Sequence, residues 1–275
     1  MARLCPPGLG LLALTSSPQR IGPLRTQGIR PLLGDLDAPQ TLRRLAGLAT
    51  RVLHLAPPPG AGGGDPRTLA LVRALRRRAA PRCLVYGSTS GVYGDCAGER
   101  VTETRALRAG TPRAERRVAA EATVRWLGRA SGVRSSILRI PGIYAPDRQG
   151  GTPRARLERC TPVLLATEDV FTNHIHADDL ARACWLALWR GRPQRVYNVN
   201  DDTQLLMGDY FDLAADLYGM PRPPRLPRST AQTALPLSLL SFMGESRRMD
   251  NTRLKRELRL ALRYPTVAEG LCEPG

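Results

Sequence analysis

A doubly wound α/β fold on a mostly parallel sheet is what this sequence predicts, and three observations predict it. Short apolar runs alternate with longer amphipathic stretches from Leu11 to Val199, the signature of strands joined by crossover helices. Turn-forming clusters such as Gly34-Asp35-Leu36-Asp37 and the proline- and glycine-rich 57–64 separate them. With 275 residues and a 42% hydrophobic share, the chain can bury one full core and carry a small attached lobe.

In chain order, strands are expected at 11–15, 30–33, 51–56, 82–87, 134–140 and 195–199. Helices are expected at 19–26, 41–48, 68–79, 113–130 and 178–190, each with apolar residues at helical spacing, such as Leu69, Val72 and Leu75. After Val199 the pattern loosens into a helix at 210–218, a proline-rich loop at 221–227 and a basic helix at 247–260. The α/β core is expected over 1–150, and its remaining elements with a small substrate lobe over 151–275. Right-handed crossovers put the carboxyl ends of such strands on one edge, where ligands bind.

Charge and cysteines narrow the classes. Basic residues number 41 against 24 acidic, a formal net +17, and Lys255 is the only lysine. The arginines are spread along the whole chain and aromatics are only 5%. A nucleic-acid binder gathers its charge on one face with aromatics interleaved, so no specific nucleic-acid partner is expected. Six cysteines, with no CxxC pair and no metal-like spacing to the three histidines, fit a reducing cytoplasm and no metal site. The apolar start is broken by Pro6, Pro7, Gly8 and Gly10, and the longest later apolar run, 235–243, is under half a membrane span. Neither an export signal nor a membrane partner is expected.

The most specific stretch is Val85-Tyr86-Gly87-Ser88-Thr89-Ser90-Gly91-Val92-Tyr93-Gly94-Asp95. A strand running into a Ser/Thr cluster and then Val-Tyr-Gly resembles the fifth-strand end of extended short-chain dehydrogenases/reductases, the NAD(P)-dependent epimerase/dehydratase family of Rossmann-like proteins. The resemblance makes Thr89, with Ser88 beside it, the hydroxyl that meets the reacting substrate oxygen. Val52-Leu53-His54-Leu55-Ala56 is similar to the fourth-strand segment whose end, here Ala56, passes under the dinucleotide. Gly34-Asp35-Leu36 resembles the acidic turn in which Asp35 would accept from the adenine amino group. Leu138-Arg139-Ile140-Pro141-Gly142-Ile143-Tyr144-Ala145-Pro146 resembles the loop beside the nicotinamide, placing Pro141 and Tyr144 on the substrate side. Asn173-His174-Ile175-His176-Ala177-Asp178-Asp179-Leu180-Ala181 resembles the entry to the next helix. There His176 is either a substrate contact or a structural histidine, and Asp178 or Asp179 a helix cap. Tyr264-Pro265-Thr266-Val267-Ala268-Glu269-Gly270-Leu271 matches the family's usual ending.

Two departures bear on function. Where the family carries Tyr-x-x-x-Lys, this chain has Arg113-Ala114-Glu115-Arg116-Arg117, so Arg113 and Arg117 stand at the catalytic positions. A phenol exchanges a proton once a neighbouring cation tunes it; arginine stays protonated at any working pH. Arg117 retains the capacity to hold ribose hydroxyls, and Tyr93 and Tyr144 are the candidate replacement phenols. The second departure is at the start. Nothing before Leu11 has room for the family's first strand, glycine loop and helix, so the expectation is an N-terminally truncated sheet from a clipped gene start. The second-strand exit, Thr15-Ser16-Ser17-Pro18-Gln19-Arg20, has no acid for a ribose hydroxyl. Arg20 there mildly favours NADP over NAD as the cofactor.

The leading expectation is an atypical NAD(P)-binding family member with a small-molecule substrate and without standard Tyr/Lys hydride transfer. The alternatives are an active epimerase, dehydratase or reductase with another proton donor, and a non-enzymatic binding or scaffold module. The sequence leaves room for a homodimer.

Overall fold

The computed structural model describes residues 4–6, 8–147 and 150–272, the side chains of 237 and 238 excepted. Its elements fall into two compact units, each discontinuous in sequence. The first is Met1–Ser88, Thr111–Leu138 and Ala181–Val196; the second is Thr89–Gly110, Arg139–Leu180 and Tyr197–Gly275. Among the described residues no helix is long and apolar enough to cross a membrane.

A four-stranded sheet runs in the order Arg195–Asn198, Arg134–Ile140, Cys83–Thr89, Arg51–His54. Leu12–Thr15 and Arg30–Leu33 form a separate parallel pair, in register Leu12 to Arg30. Arg51–His54 pairs in parallel with Cys83–Thr89, and the register sets His54 beside Tyr86. Among the described residues before Leu12 there is no strand, so Leu12–Thr15 and Arg51–His54 each pair along one edge only. Burial follows: Cys83–Thr89 is buried at six of seven positions, whereas all of Leu12–Thr15 and three of four residues in Arg51–His54 are half-exposed.

The helices of this unit form where capping and periodicity agree. Pro112–Ser131 starts at Thr111, whose side chain accepts from the Ala114 amide, and stops at Gly132 in the left-handed region (φ +63). Its buried Ala120, Val124 and Leu127 pack with Leu71, Val72 and Leu75 of Pro66–Leu75 over Leu84 and Tyr86. The α-helix expected at 41–48 is a 3-10 helix, Pro39–Leu45. Proline at its start tolerates that geometry, and only Leu42 is buried to hold it.

The second unit is built from two-stranded pieces and short helices. Gly142–Tyr144 pairs in parallel with His174–His176, and Arg100–Val101 with Arg248–Met249. The latter pairing takes the start of the basic helix expected at 247–260, which instead begins at Thr252, where Asp250 Oδ1 accepts the Thr252 amide. Met207–Tyr218 buries Met207, Tyr210, Phe211 and Ala214 against Tyr144, Met243 and Leu271.

Gly94, at the end of the Val-Tyr-Gly stretch, has φ +66, and a Cβ there would lie 2.0 Å from the Arg108 carbonyl oxygen. That oxygen is backbone and cannot swing away. Gly94→Ala is expected to lower stability by about 2–5 kcal/mol, combining left-handed strain with overpacking. Gly132→Ala, with φ +63 and open space, carries the strain alone. Equal losses for the two variants in urea denaturation would remove the close-approach explanation.

Candidate functional site

Arg113 and Arg117 lie four residues apart on Pro112–Ser131, Arg113 exposed and Arg117 half-buried. The Arg117 guanidinium donates to the Gly87 carbonyl at 2.7 Å and to the Tyr86 hydroxyl at 3.0 Å. One turn on, buried Glu121 accepts from the Ser88 hydroxyl at 2.7 Å and pairs with Arg125 at 3.0 Å. Tyr86 and Ser88 alternate with Gly87 on the strand, so both face this helix. Ser88 and Arg117 are thus brought to the same strand end. Burial pushes the Tyr86 phenol up to about 12, against the opposing pull of Arg117. Tyr86 and Glu121 were not singled out from the sequence. The i, i+4 spacing of Arg117, Glu121 and Arg125 is a local signal, whereas the strand partners of Arg117 and Glu121 are 30 or more residues away in the chain.

Beside Tyr86, at 5.3 Å between ring centroids, His54 contacts the Thr68 hydroxyl through Nε2 at 2.8 Å. The same hydroxyl donates to Asp65 at 2.5 Å. A threonine has one proton to give, so His54 carries its own on Nε2 and is the donor. Desolvation lowers the His54 pKa to about 4, which keeps the ring neutral.

The parallel pair carries the other positions of this unit. Arg20 ends the turn Pro18–Arg20 after Leu12–Thr15; its amide donates to the Ser17 carbonyl at 3.1 Å, and its exposed side chain has no hydrogen bond or ion pair among the described residues. Asp35 follows Arg30–Leu33; its Oδ1 accepts the Asp37 amide at 2.9 Å, and its own amide donates to Thr41 Oγ1 at 2.8 Å. Ala56 is half-exposed, two residues past Arg51–His54.

Thr89, Pro141, Tyr144 and His176 belong to the second unit. Thr89 Oγ1 accepts the Gly91 amide at 3.3 Å. Pro141 is half-exposed, while Tyr144 and His176 are buried. The Tyr144 hydroxyl donates to the Thr266 carbonyl at 3.3 Å, and burial raises its pKa above the usual range. A Cβ on Gly270 would stand 2.4 Å from that hydroxyl, which explains why the terminal motif has glycine there. His176 packs on Tyr264 at 3.8 Å, and its Nδ1 accepts the Asp178 amide at 3.2 Å. At the helix start, where Asp178 or Asp179 was the expected cap, His176 accepts an amide, while the Asp179 carboxylate takes the Arg263 and Tyr264 amides. Tyr93 is buried, with its hydroxyl donating to Asn198 at 2.6 Å. Asp201 is raised to about 8 by burial. A cavity of about 420 Å³ within this unit is lined by Asp95, Gly98, Phe171, Arg228 and Ser246.

Residues 67–200 match the model of the NAD dependent epimerase/dehydratase family. A conserved protein of unknown function from Silicibacter pomeroyi is 30% identical, with a TM-score of 0.79 over 98% of this chain and 91% of that one. The fold is shared with the UDP-glucose 4-epimerase of Thermotoga maritima, solved with UDP-glucose: 18% identity, TM-score 0.76, 96% and 89% of the two chains. It is also shared with the UDP-glucuronic acid 4-epimerase of Bacillus cereus, solved with NAD: 17% identity, TM-score 0.75, 98% and 90%. The comparison with curated proteins returns no match.

Proposed function

This chain belongs to the NAD dependent epimerase/dehydratase family, and from that premise we propose that it holds a nicotinamide dinucleotide, NADP ahead of NAD, beside a small-molecule substrate without running Tyr/Lys hydride chemistry. The observation that carries this reading is the engagement of Arg117 by Tyr86 and Gly87. At the position where the family places its lysine, the cation ties a helix to a strand end. The phenol it touches is fully buried and pushed up to about 12, so it keeps its proton at neutral pH. The two replacement phenols are also buried, Tyr93 on Asn198 and Tyr144 on Thr266.

The residues fit the adenosine end of a dinucleotide. Arg20 is an exposed guanidinium, unpaired among the described residues and suited to a 2′-phosphate, and Asp35 keeps Oδ2 for an amino group. In this reading Ala56 and Ser88 would serve the cofactor, Ser88 through the strand end it shares with Arg117, and Thr89 would offer its hydroxyl to the substrate. Pro141 faces the substrate, with Tyr144 and His176 as buried supports. The cofactor would supply the hydride acceptor. The chain's own groups would bind and orient.

The test is turnover. The unaltered chain, given NAD or NADP with UDP-glucose or UDP-glucuronic acid, is expected to show no nicotinamide reduction and no epimer above background. Sustained turnover would mean that another base works in this fold and that the active alternative holds.

A further inference from the structure

We propose that the edge of the sheet where its strands begin is a docking surface for single-stranded nucleic acid. It binds through arginine–phosphate contacts and two arginine-stacked tryptophans, without regard to base sequence. The arginines scattered along the chain are gathered by the fold. The unit Met1–Ser88, Thr111–Leu138 and Ala181–Val196 has 23 basic residues against five acidic, whereas the other unit has 18 against 19. The first unit therefore accounts for the whole of the net +17. A bias in composition alone would load both units alike.

Within that unit the alternation of strand and helix decides where the charge goes. Parallel strands begin at one edge, and the helices that return the chain to them end there. Arg51, Arg134 and Arg195 open their strands, and Arg82 immediately precedes Cys83–Thr89. The helical segments that feed those strands end in Arg43 and Arg44, in Arg76–Arg78 and in Arg129. The unit's carboxylates lie elsewhere. Asp35, Asp37, Asp65 and Glu115 follow a strand or start a helix, and Glu121 is buried on Ser88.

Contacts join these arginines into one surface. Arg51 Nε and Arg134 Nη2 both donate to the Leu188 carbonyl, at 3.2 and 2.8 Å, and one neutral oxygen leaves both charges uncompensated. The Arg134 amide donates to the Arg82 carbonyl at 3.1 Å. Two of the chain's three tryptophans, Trp126 and Trp189, stay 41% and 39% exposed here. Arg51 stacks on Trp189 at 3.8 Å and Arg76 on Trp126 at 4.5 Å. Arg76 Nε also donates to Ser131 Oγ at 3.0 Å, tying the ends of two helices together. Uncompensated arginine draws a polyanion. Exposed indoles interleaved with guanidinium planes add a stacking surface that accepts any unpaired base. Single-stranded nucleic acid offers both phosphates and free base faces, whereas an anionic bilayer offers charge without bases.

The test titrates the full chain with a fluorescein-labelled oligo(dT) at physiological ionic strength, by anisotropy and by tryptophan emission. Saturable binding with quenched emission is expected. Arg77→Glu with Arg78→Glu, at exposed positions that leave the core untouched, should weaken binding about tenfold or more and flatten its salt dependence. Arg159→Glu with Arg256→Glu, the same charge change on exposed positions of the other unit, should stay within about twofold. Trp126→Ala should weaken binding about fivefold or more and remove part of the quench. Saturating NADP should leave the affinity unchanged, because dinucleotides bind at the opposite, carboxyl edge of such a sheet, so this surface stands or falls apart from the cofactor reading. No saturable binding, equal loss in the two double variants, or displacement of the oligonucleotide by NADP would overturn the surface. Tighter binding of a duplex of the same length, or of phosphatidylserine vesicles, would overturn it too. A parallel titration with oligo(U) identifies whether RNA or DNA is the preferred strand.

Discussion

The Arg113→Tyr variant is expected to show no more nucleotide-sugar oxidation or epimerisation than the unaltered chain. Acid/base catalysis by a positioned side chain contributes about 10²–10⁴-fold, so a working phenol would be easy to detect. A tyrosine at 113 would sit exposed on the first turn of Pro112–Ser131. Its tuning cation would have to be Arg117, one turn on. That guanidinium is held at 2.7 Å by Gly87 and 3.0 Å by Tyr86, where it anchors the strand end. An untuned phenol with a pKa near 10 holds its proton at neutral pH, and the variant lacks the base as the parent does. A rise of tenfold or more in initial rate would show that Arg117 is free to act as the lysine does.

Acid denaturation should be governed by two buried histidines. Burial lowers His54 and His174 from 6.5 to about 4. A depressed folded-state pKa means that the stabilisation is complete above pH 6.5 and is lost as pH falls through 4. Each histidine contributes roughly 3 kcal/mol over that window. Asp201 works in the opposite direction. Raised from 3.8 to about 8, it stabilises most below pH 3.8 and loses that stabilisation as pH rises through 8. Glu103 and Asp169, raised by burial, share its sign. The unfolding free energy should therefore peak near pH 6.5 and fall by about 3 kcal/mol on the way to pH 4, one net proton being taken up. Asp201→Asn should steepen the acid limb and flatten the decline toward pH 8. A flat profile between pH 6.5 and 4 would mean that His54 and His174 are not held neutral.

Much of this fold was legible from periodicity and turn chemistry. Strands at 30–33 and 134–140 have the expected bounds, and Pro112–Ser131 exceeds its expected range by one residue at each end. These elements have strong local signals: Thr111 and Gly132 cap a helix whose buried face carries Ala114, Ala120, Val124 and Leu127 at helical spacing. The segment 247–260 was misjudged because its first residues are taken by a ladder with Arg100–Val101, a non-local pairing with no trace in helical spacing. The contacts around the candidate residues were much less legible. Ser88 and Arg117 do meet the same strand end, yet Arg117's partners, Tyr86 and Gly87, lie 31 and 30 residues away in the chain. The Arg116 bonds to the Gly62 and Gly60 carbonyls bridge 54 and 56 residues. Contacts over such separations are set by packing, which no local pattern encodes.

The central claim, a retained dinucleotide site without family catalysis, is tested most directly by titrating the chain with NADPH and NADH under nicotinamide fluorescence. The ionic strength should be near physiological, where the Debye length of about 8 Å screens nonspecific attraction to the basic surface. The account predicts saturable one-to-one binding, tighter for NADPH, with the preference abolished in Arg20→Ala. Absence of saturable binding by either cofactor would contradict it and leave a non-enzymatic module as the reading of this fold.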